Sequence, residues 1–325
     1  MAGELAVVFG GSGFVGRHVV RELAKRGWRV RVAVRRPHHA QFLRPMGAVG
    51  QVDLRQVNIR HKPSIAAAME GADAVINAVG ILFQTGSQSF NAVQAEGAAS
   101  IAQLAAEAGV ERFVHISAIG ADAQSESLYA RSKAQGENAV TAAIPTATIL
   151  RPSIVFGPED DFFNRFGAMA SNLPPFAPMP LIGGGTTRFQ PVYVDDVADA
   201  VLGALESKDA RGRIYELGGP SIYTFKELLE FIIAQTGRDH ALVPLPFPAA
   251  WGIGLVGEFA GKAPFVDPPL TRDQVRLLKR DNVVDTSGSV GVLSELTSEA
   301  NSIETIVPSY MVKYRRYGQF ADHAA

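Results

Sequence analysis

The run Leu5-Ala6-Val7-Val8-Phe9-Gly10-Gly11-Ser12-Gly13-Phe14-Val15-Gly16 decides how this chain folds. Five apolar residues make a buried strand, and the glycines after them permit a tight turn straight into a helix. Gly10, Gly13 and Gly16 satisfy G-x-x-G-x-x-G, while Gly11, Gly13 and Gly16 satisfy G-x-G-x-x-G. Such a turn lets backbone approach a pyrophosphate closely, and the helix start offers unpaired N–H groups at the positive end of its dipole. A glycine-rich loop without a ligand would carry the same letters. Here the pattern follows an apolar strand and opens an amphipathic stretch, the context that a dinucleotide site requires. Gly10, Gly11, Ser12, Gly13, Phe14, Val15 and Gly16 are therefore expected to cradle phosphates.

About twenty residues beyond such a turn, NAD-type sites carry a carboxylate for the ribose 2′-hydroxyl. This chain has Arg35 and Arg36 there. An arginine pair can bind a 2′-phosphate bidentately and offers no acceptor to a free hydroxyl. NADPH or NADP is expected in preference to NAD, the bland alternative being two solvated loop charges.

Outward from the turn, short apolar runs alternate with longer amphipathic stretches. Segments 5–9, 29–34, 72–79, 112–117 and 147–156 read as strands, and 14–26, 92–108 and 128–142 as helices. This rhythm describes an α/β fold, a Rossmann-type doubly wound parallel sheet covered by helices on both faces. Residues 158–188, rich in Pro, Gly, Phe and Met, read as an insertion wrapping over a ligand site rather than another sheet layer. A strand at 190–194 and a helix at 195–205 follow, then helices at 225–235 and 271–279 separated by a proline-rich stretch. Residues 1–157 and 188–219 are expected to form the Rossmann domain, and 158–187 with 220–325 a smaller, interleaved C-terminal lobe. The tail 287–304 has too little periodicity to place.

Composition narrows the function. Of 325 residues 47% are hydrophobic and 19% charged, with a net charge of −1 and no stripe of Lys or Arg, so nucleic acid is not an expected partner. The absence of cysteine excludes disulfides, iron–sulfur ligation and thiolate zinc, and the 7 histidines lack metal spacing, so no metal is expected. The N-terminus lacks the signal-peptide order of basic, apolar and small-residue regions. The longest uncharged window, 241–257, contains Pro244, Pro246 and Pro248 and falls short of the ~18–20 residues of a spanning helix. A soluble or peripheral protein is expected.

Further motifs carry a resemblance. Asn58-Ile59 stands where a third strand, between the runs 29–34 and 72–79, would end, and Asn77-Ala78-Val79-Gly80 closes 72–79, which is then the fourth. Tyr129-Ala130-Arg131-Ser132-Lys133, Arg151-Pro152 with Phe156-Gly157-Pro158, and Val194-Asp195-Asp196-Val197 come after them. From Gly10 to Gly219, about two thirds of the chain, these residues resemble the extended and atypical short-chain dehydrogenase/reductase superfamily. The resemblance implies that Asn58, Ile59, Ala78, Val79, Gly80, Ser117, Tyr129, Lys133, Pro152 and Ile154 join the glycine turn in holding the cofactor. It also implies that Tyr129 and Lys133 are the catalytic pair, with Ser117 as the third member. At i and i+4 the pair shares a helix face, and a phenol titrating near ~10 needs such a cation to work at neutral pH. In the family's Ser-Ser arrangement the working hydroxyl is the later one, and Ala118 stands there. Catalysis, and survival of the pair as cofactor ligands without turnover, both remain open. His115, on the strand, reads as a packed core histidine rather than a base.

The block Pro268-Pro269-Leu270-Thr271-Arg272-Asp273-Gln274-Val275, with Leu277-Leu278-Lys279-Arg280-Asp281-Asn282 after it, is similar to the nucleotide-binding accessory subunits of respiratory complex I (the NADH:ubiquinone oxidoreductase) and their bacterial homologues. Thr271 as an N-cap with Asp273 in the first turn is also good helix grammar in any protein. The resemblance implies a non-redox accessory subunit with a structural or regulatory NADP(H) and other complex I subunits as partners. Its place would be peripheral, on the cytoplasmic face of a bacterial inner membrane or on the matrix side in mitochondria. A free NADP(H)-dependent reductase or epimerase, and an assembly or quinone-related factor, are the alternatives. Residues 244–265, where Trp251, Ile253, Leu255, Val256 and Phe259 crowd together, and the helix after Thr271 are expected to dock on the complex or membrane surface, the alternative being that the apolar residues pack inside the lobe. Lys313, Arg315 and Arg316, interleaved with Tyr310, Tyr314 and Tyr317, would add attraction to anionic headgroups.

Overall fold

Eight strands pair into one sheet, as the computed structural model, which describes residues 3–260, 270–298, 300–316, 318 and 320, shows. They are β1 (Leu5–Phe9), β2 (Arg29–Val34), β3 (Val52–Gln56), β4 (Ala74–Asn77), β5 (Arg112–Ile116), β6 (Thr148–Pro152), β7 (Ile214–Leu217) and β8 (Gly291–Val292). Their order is β8-β7-β6-β5-β4-β1-β2-β3, and each pairing is parallel. The order reverses at β1, between β4 and β2, where doubly wound sheets open a crevice. Parallel pairing also brings the C-terminal ends of all these strands to one edge, and every loop named for a cofactor role leaves from that edge.

Each residue of β1 is buried, which is why it reads as an unbroken apolar run rather than an alternating one. The flanking helices are α1 (Phe14–Lys25), α2 (Lys62–Met69), α3 (Glu96–Glu107), α4 (Leu128–Ala143) and α5 (Val194–Glu206). Val7, Phe9, Ile65, Ile101, Phe113 and Ile149 belong to one buried cluster that joins the sheet to its helices. A π-helical turn, Asn91–Ala95, leads into α3.

The chain forms two compact units: Met1–Pro152, Val194–Leu217 and Asp285–Glu299 make the first, and Ser153–Tyr193, Gly218–Val284 and Ala300–Ala325 the second. The expected lobe 220–325 is thus interrupted. Segment 285–299 returns to the first unit because Gly291 and Val292 pair with Tyr215 and Glu216. A two-residue strand shows no periodicity, so this return was invisible in the sequence.

The second unit has its own core, which includes Phe156, Phe163, Phe225, Leu228, Ile232 and Val307. Residues 158–188 are more than a wrapping loop: they contain the helix Phe162–Asn172 and the strand Met179–Ile182, which pairs in parallel with Leu242–Leu245. Pro180 and Pro244, residues that ordinarily argue against strands, conceal that pairing. The proline-rich stretch likewise hides the helix Phe247–Ala260, whose Pro248 sits in the first turn, where no N–H is needed. Tyr310 is buried and donates to Asp160 Oδ2 at 2.6 Å, and the Tyr314 hydroxyl donates to Asn164 Oδ1 at 3.0 Å. These two aromatics, interleaved with Lys313, Arg315 and Arg316, thus make internal contacts; Tyr317 lies outside the described residues.

Gly203 on α5 tests the return of 285–299. A Cβ there would lie 2.2 Å from the Leu296 carbonyl oxygen, whereas one on Gly252 would meet nothing within 4 Å. Helix propensity alone favours alanine over glycine by about 1 kcal/mol. At position 203 a backbone clash outweighs it, so Gly203→Ala should lose about 1–3 kcal/mol in denaturant unfolding while Gly252→Ala is neutral or stabilising. Equal gains at both positions would contradict this packing.

Candidate nucleotide site

The glycines of the first turn are spaces that other atoms already occupy or border. Gly10 has φ +78°, and a Cβ on it would lie 2.7 Å from Ala78 O. A Cβ on Gly11 would meet Val32 Cγ1 at 2.5 Å, and one on Gly16 would meet Gly10 O at 2.2 Å. The Gly13 amide donates to Gly10 O at 2.9 Å, which closes the turn. Gly13 is also the N-cap of α1 and supplies no side chain to it. The first-turn N–H groups are thus left facing the open edge, with Ser12, Phe14 and Val15 half-buried around them. This cradle fits a pyrophosphate.

Arg35 and Arg36 are exposed immediately beyond β2, and neither guanidinium has a hydrogen bond or ion pair among the described residues. Asn58 follows β3 and is bound up locally: its carbonyl oxygen accepts from His61 N at 2.8 Å and its Oδ1 from Arg60 N at 3.1 Å. Ile59 packs toward Gly97 of α3, where a Cβ would come within 2.8 Å of Ile59 Cδ1. On the other side of β1, Ala78 N donates to Phe9 O at 2.9 Å, which sets Ala78, Val79 and Gly80 beside the glycine turn.

Tyr129 and Lys133 lie on α4, which Ser127 caps by accepting from Ala130 N. Lys133 Nζ sits 5.9 Å from the Tyr129 ring centroid and donates to Ile116 O at 3.1 Å, at the end of β5. Burial pushes the Lys133 ammonium down to about 8, against the opposing pull of Glu137. Glu137 in turn accepts from Arg151 at 2.9 and 2.6 Å, and Arg151 lies 3.7 Å from Glu216, so ion pairs tie α4 to β6 and β7. Ser117 N–H donates to Leu150 O at 2.7 Å, while its hydroxyl, 3% exposed, has no partner. An orphaned buried hydroxyl beside this lysine fits a bound nicotinamide ribose or carbonyl group. Pro152 is buried at the end of β6, and its carbonyl oxygen accepts from Ile119 N. Ile154 belongs to the second unit, where it accepts from Val192 N.

Further buried polar residues support this set: His115 and Asn77, which the sequence already singles out, and Gln94, which carries no local signal. His115 Nδ1 faces Asn77 Nδ2 at 3.1 Å, and Asn77 Oδ1 accepts from Val79 N. Burial first and the Lys133 charge second push His115 down to about 3, so it is a neutral strut beneath the loop and no base. Gln94, in the π-helical turn, donates from Nε2 to Ile81 O at 2.8 Å and accepts from Ser132 Oγ at 2.6 Å. It therefore bridges the loop after β4 to the Tyr129–Lys133 helix; its partners lie 13 and 38 positions away, beyond any local pattern. Among the described residues no group of three or more His, Asp or Glu side chains could hold a metal, and no helix is long and apolar enough to cross a membrane.

Residues 6–218 match the NAD dependent epimerase/dehydratase family. The mitochondrial NADH dehydrogenase [ubiquinone] 1 alpha subcomplex subunit 9 of Arabidopsis thaliana is 36% identical over 98% of this chain and 80% of its own length. The ceramide reductase of Caulobacter vibrioides is 32% identical over 75% of this chain and 74% of its own. Among solved structures, the NADPH-dependent quinone oxidoreductase QOR2 of Escherichia coli, complexed with NADPH, superposes with a TM-score of 0.71 at 20% identity, covering 94% of this chain and 99% of that one, a likeness of fold.

The lysine sets a pH dependence. Below pH about 8 the folded state carries a buried ammonium, a cost that the unfolded chain escapes. Between about 8 and the ordinary value of 10.5 the unfolded state binds more protons, so stability rises with pH through that window. Lys133→Met removes the term. Its unfolding free energy relative to the parent should thus be most favourable below pH 8 and decline toward pH 10; a difference independent of pH would show that Lys133 is not buried as described.

Proposed function

The chain belongs to the NAD dependent epimerase/dehydratase family, whose members bind a nicotinamide dinucleotide, and from that premise we propose that it is an accessory subunit of respiratory complex I holding NADP(H) as a structural or regulatory ligand. The observation that carries this reading is the end-to-end match to the plant complex I subunit, which spans both compact units rather than the nucleotide fold alone. Mitochondrial subunits of this kind have other complex I chains as neighbours, and the same partners are proposed here. A peripheral position, cytoplasmic on a bacterial inner membrane or facing the mitochondrial matrix, fits a chain with no spanning helix among its described residues.

The glycine turn Gly10–Gly16 would hold the pyrophosphate, and Arg35 and Arg36 the 2′-phosphate. Ala78, Val79 and Gly80 would line the crevice on the β4 side, with Lys133 and Tyr129 on the nicotinamide ribose. When bound, the nicotinamide supplies a hydride donor or acceptor. The chain's own residues are less well furnished for turnover. Lys133 already donates to Ile116 O, Ala118 gives no hydroxyl, and Ser117 Oγ is the one buried hydroxyl among the described residues without a partner. The apolar face of the helix Phe247–Ala260, with Trp251, Ile253 and Val256 at 41%, 48% and 68% exposure, is proposed as the surface that meets the complex. Leu255 is half-buried, the Phe259 side chain is outside the described residues, and so are 261–265.

A second reading, a free NADP(H)-dependent reductase, is favoured by Lys133 beside the Tyr129 ring, by the unpartnered Ser117 hydroxyl and by the likeness to the ceramide reductase. The two separate experimentally. Affinity isolation through this chain from detergent-solubilised membranes should bring down complex I subunits. The isolated chain with NADPH should reduce aldehydes, ketones and quinones negligibly. Robust turnover abolished by Tyr129→Phe, without co-isolating chains, would establish the reductase instead.

Arg35→Ala should weaken NADPH about ten- to hundredfold, the loss of one charge-assisted contact, with little effect on NADH. Calorimetric titration of both nucleotides measures this, and an equal effect on each would refute the 2′-phosphate assignment.

A further inference from the structure

Arg17, one residue beyond the last glycine of the turn, lies in the first turn of α1. Its side chain does not point away along the helix. It folds back over the turn, donating from Nε to Gly13 O at 3.2 Å and from Nη2 to Ser12 O at 3.3 Å. Its guanidinium carbon stands 4.9 Å from the centroid of the Phe42 ring. Phe42 belongs to the 3-10 segment Pro37–Met46, which begins directly after Arg35 and Arg36 and is anchored by buried Ala40 and Leu43. Phe42 itself remains 42% exposed.

These contacts give Arg17 a direction. β2 flanks β1 on one side and β4 on the other. By leaning on Phe42 the guanidinium is committed to the β2 side, where Arg35 and Arg36 leave the sheet, and away from Ala78–Gly80 and Lys133. A dinucleotide laid across the switch point puts its adenosine half on that same side. A cation in the first turn of a helix opposes the dipole, an arrangement that an anion bound alongside would offset. An aromatic platform holds a guanidinium in place by attraction to the ring face.

We infer that Arg17, held in place by Phe42, is a further 2′-phosphate ligand, so that a phosphate monoester is gripped between a guanidinium from the start of α1 and those that follow β2. The inference rests on the NADP(H) reading above and assigns the selectivity to a pair of elements rather than one loop. Phe42 is the positioning residue, and Arg17 the one that touches the phosphate.

The full-length chain is titrated calorimetrically with NADPH, NADH and adenosine 2′,5′-bisphosphate, for the parent and for Arg17→Met, Arg17→Lys and Phe42→Ala. Arg17→Met should weaken NADPH and the bisphosphate by about tenfold or more and NADH by less than about threefold. Arg17→Lys should recover part of the loss, since it keeps the charge without the fork. Phe42→Ala should weaken the two 2′-phosphorylated ligands by a smaller factor, and only those two. An equal loss for NADPH and NADH in Phe42→Ala and Arg17→Met, or no loss in either variant, overturns the inference while leaving the NADP(H) reading intact. A parent protein without preference for NADPH overturns both.

Discussion

The first turn of α1 approaches the end of β1 so closely that one methyl group at position 16 would stand 2.2 Å from the Gly10 carbonyl oxygen. This approach makes the nucleotide edge. It aims the uncapped N–H groups of a twelve-residue helix at the switch point of the sheet. It also requires the neighbouring strand end to fit, since a Cβ on Gly10 would lie 2.7 Å from Ala78 O. Parallel pairing then does the rest: once β1 and α1 are fixed, the loops after β2, β4 and β5 must emerge beside them.

Around that edge the chain buries charge where a simple packing module would not. Lys133 is 5% exposed, Glu137 is 5% exposed, and the Arg151 pairing that holds Glu137 continues to Glu216, whose Oε2 accepts from Asp285 N at 2.8 Å. Buried ion pairs seldom add net stability, because desolvation offsets much of the attraction, but removing one partner is costly. Their effect here is geometric. They fix α4 against β6 and β7, so that Lys133 meets the end of β5 and Tyr129 stacks edge-on against Phe90 at 5.7 Å. Gln94 and Asn77 secure the facing loop. This frame is what the proposed structural nucleotide would rest on.

Much of this was legible in the sequence because it is local. The strand–turn–helix at residues 5–16 announces itself through glycine spacing, the Tyr129–Lys133 pair through its i,i+4 interval, and the Thr271 cap through Asp273 in the turn that follows; the structure adds a reciprocal bond between Thr271 and Gln274. What escaped depends on distant partners or on patterns that contradict propensity. β8 is two residues long and exists only because β7 offers an edge. The helix Phe247–Ala260 is apolar apart from Glu258 and contains Gly252, Gly254 and Gly257, so it lacks the periodicity that marks a surface helix. Gly254 has its own reason: a Cβ there would lie 2.8 Å from Arg272 N. Arg17 carries no sequence signal, because the way its side chain lies back over the turn is set in three dimensions.

The most direct measurement is the nucleotide content of complex I isolated through this chain and then run through many turnovers with NADH and quinone. A structural or regulatory role requires NADP(H) to be recovered after acid or base extraction in proportion to this chain, unchanged by turnover. Recovery of NAD(H) instead, loss of the nucleotide during turnover, or isolation of the chain without the complex would contradict it.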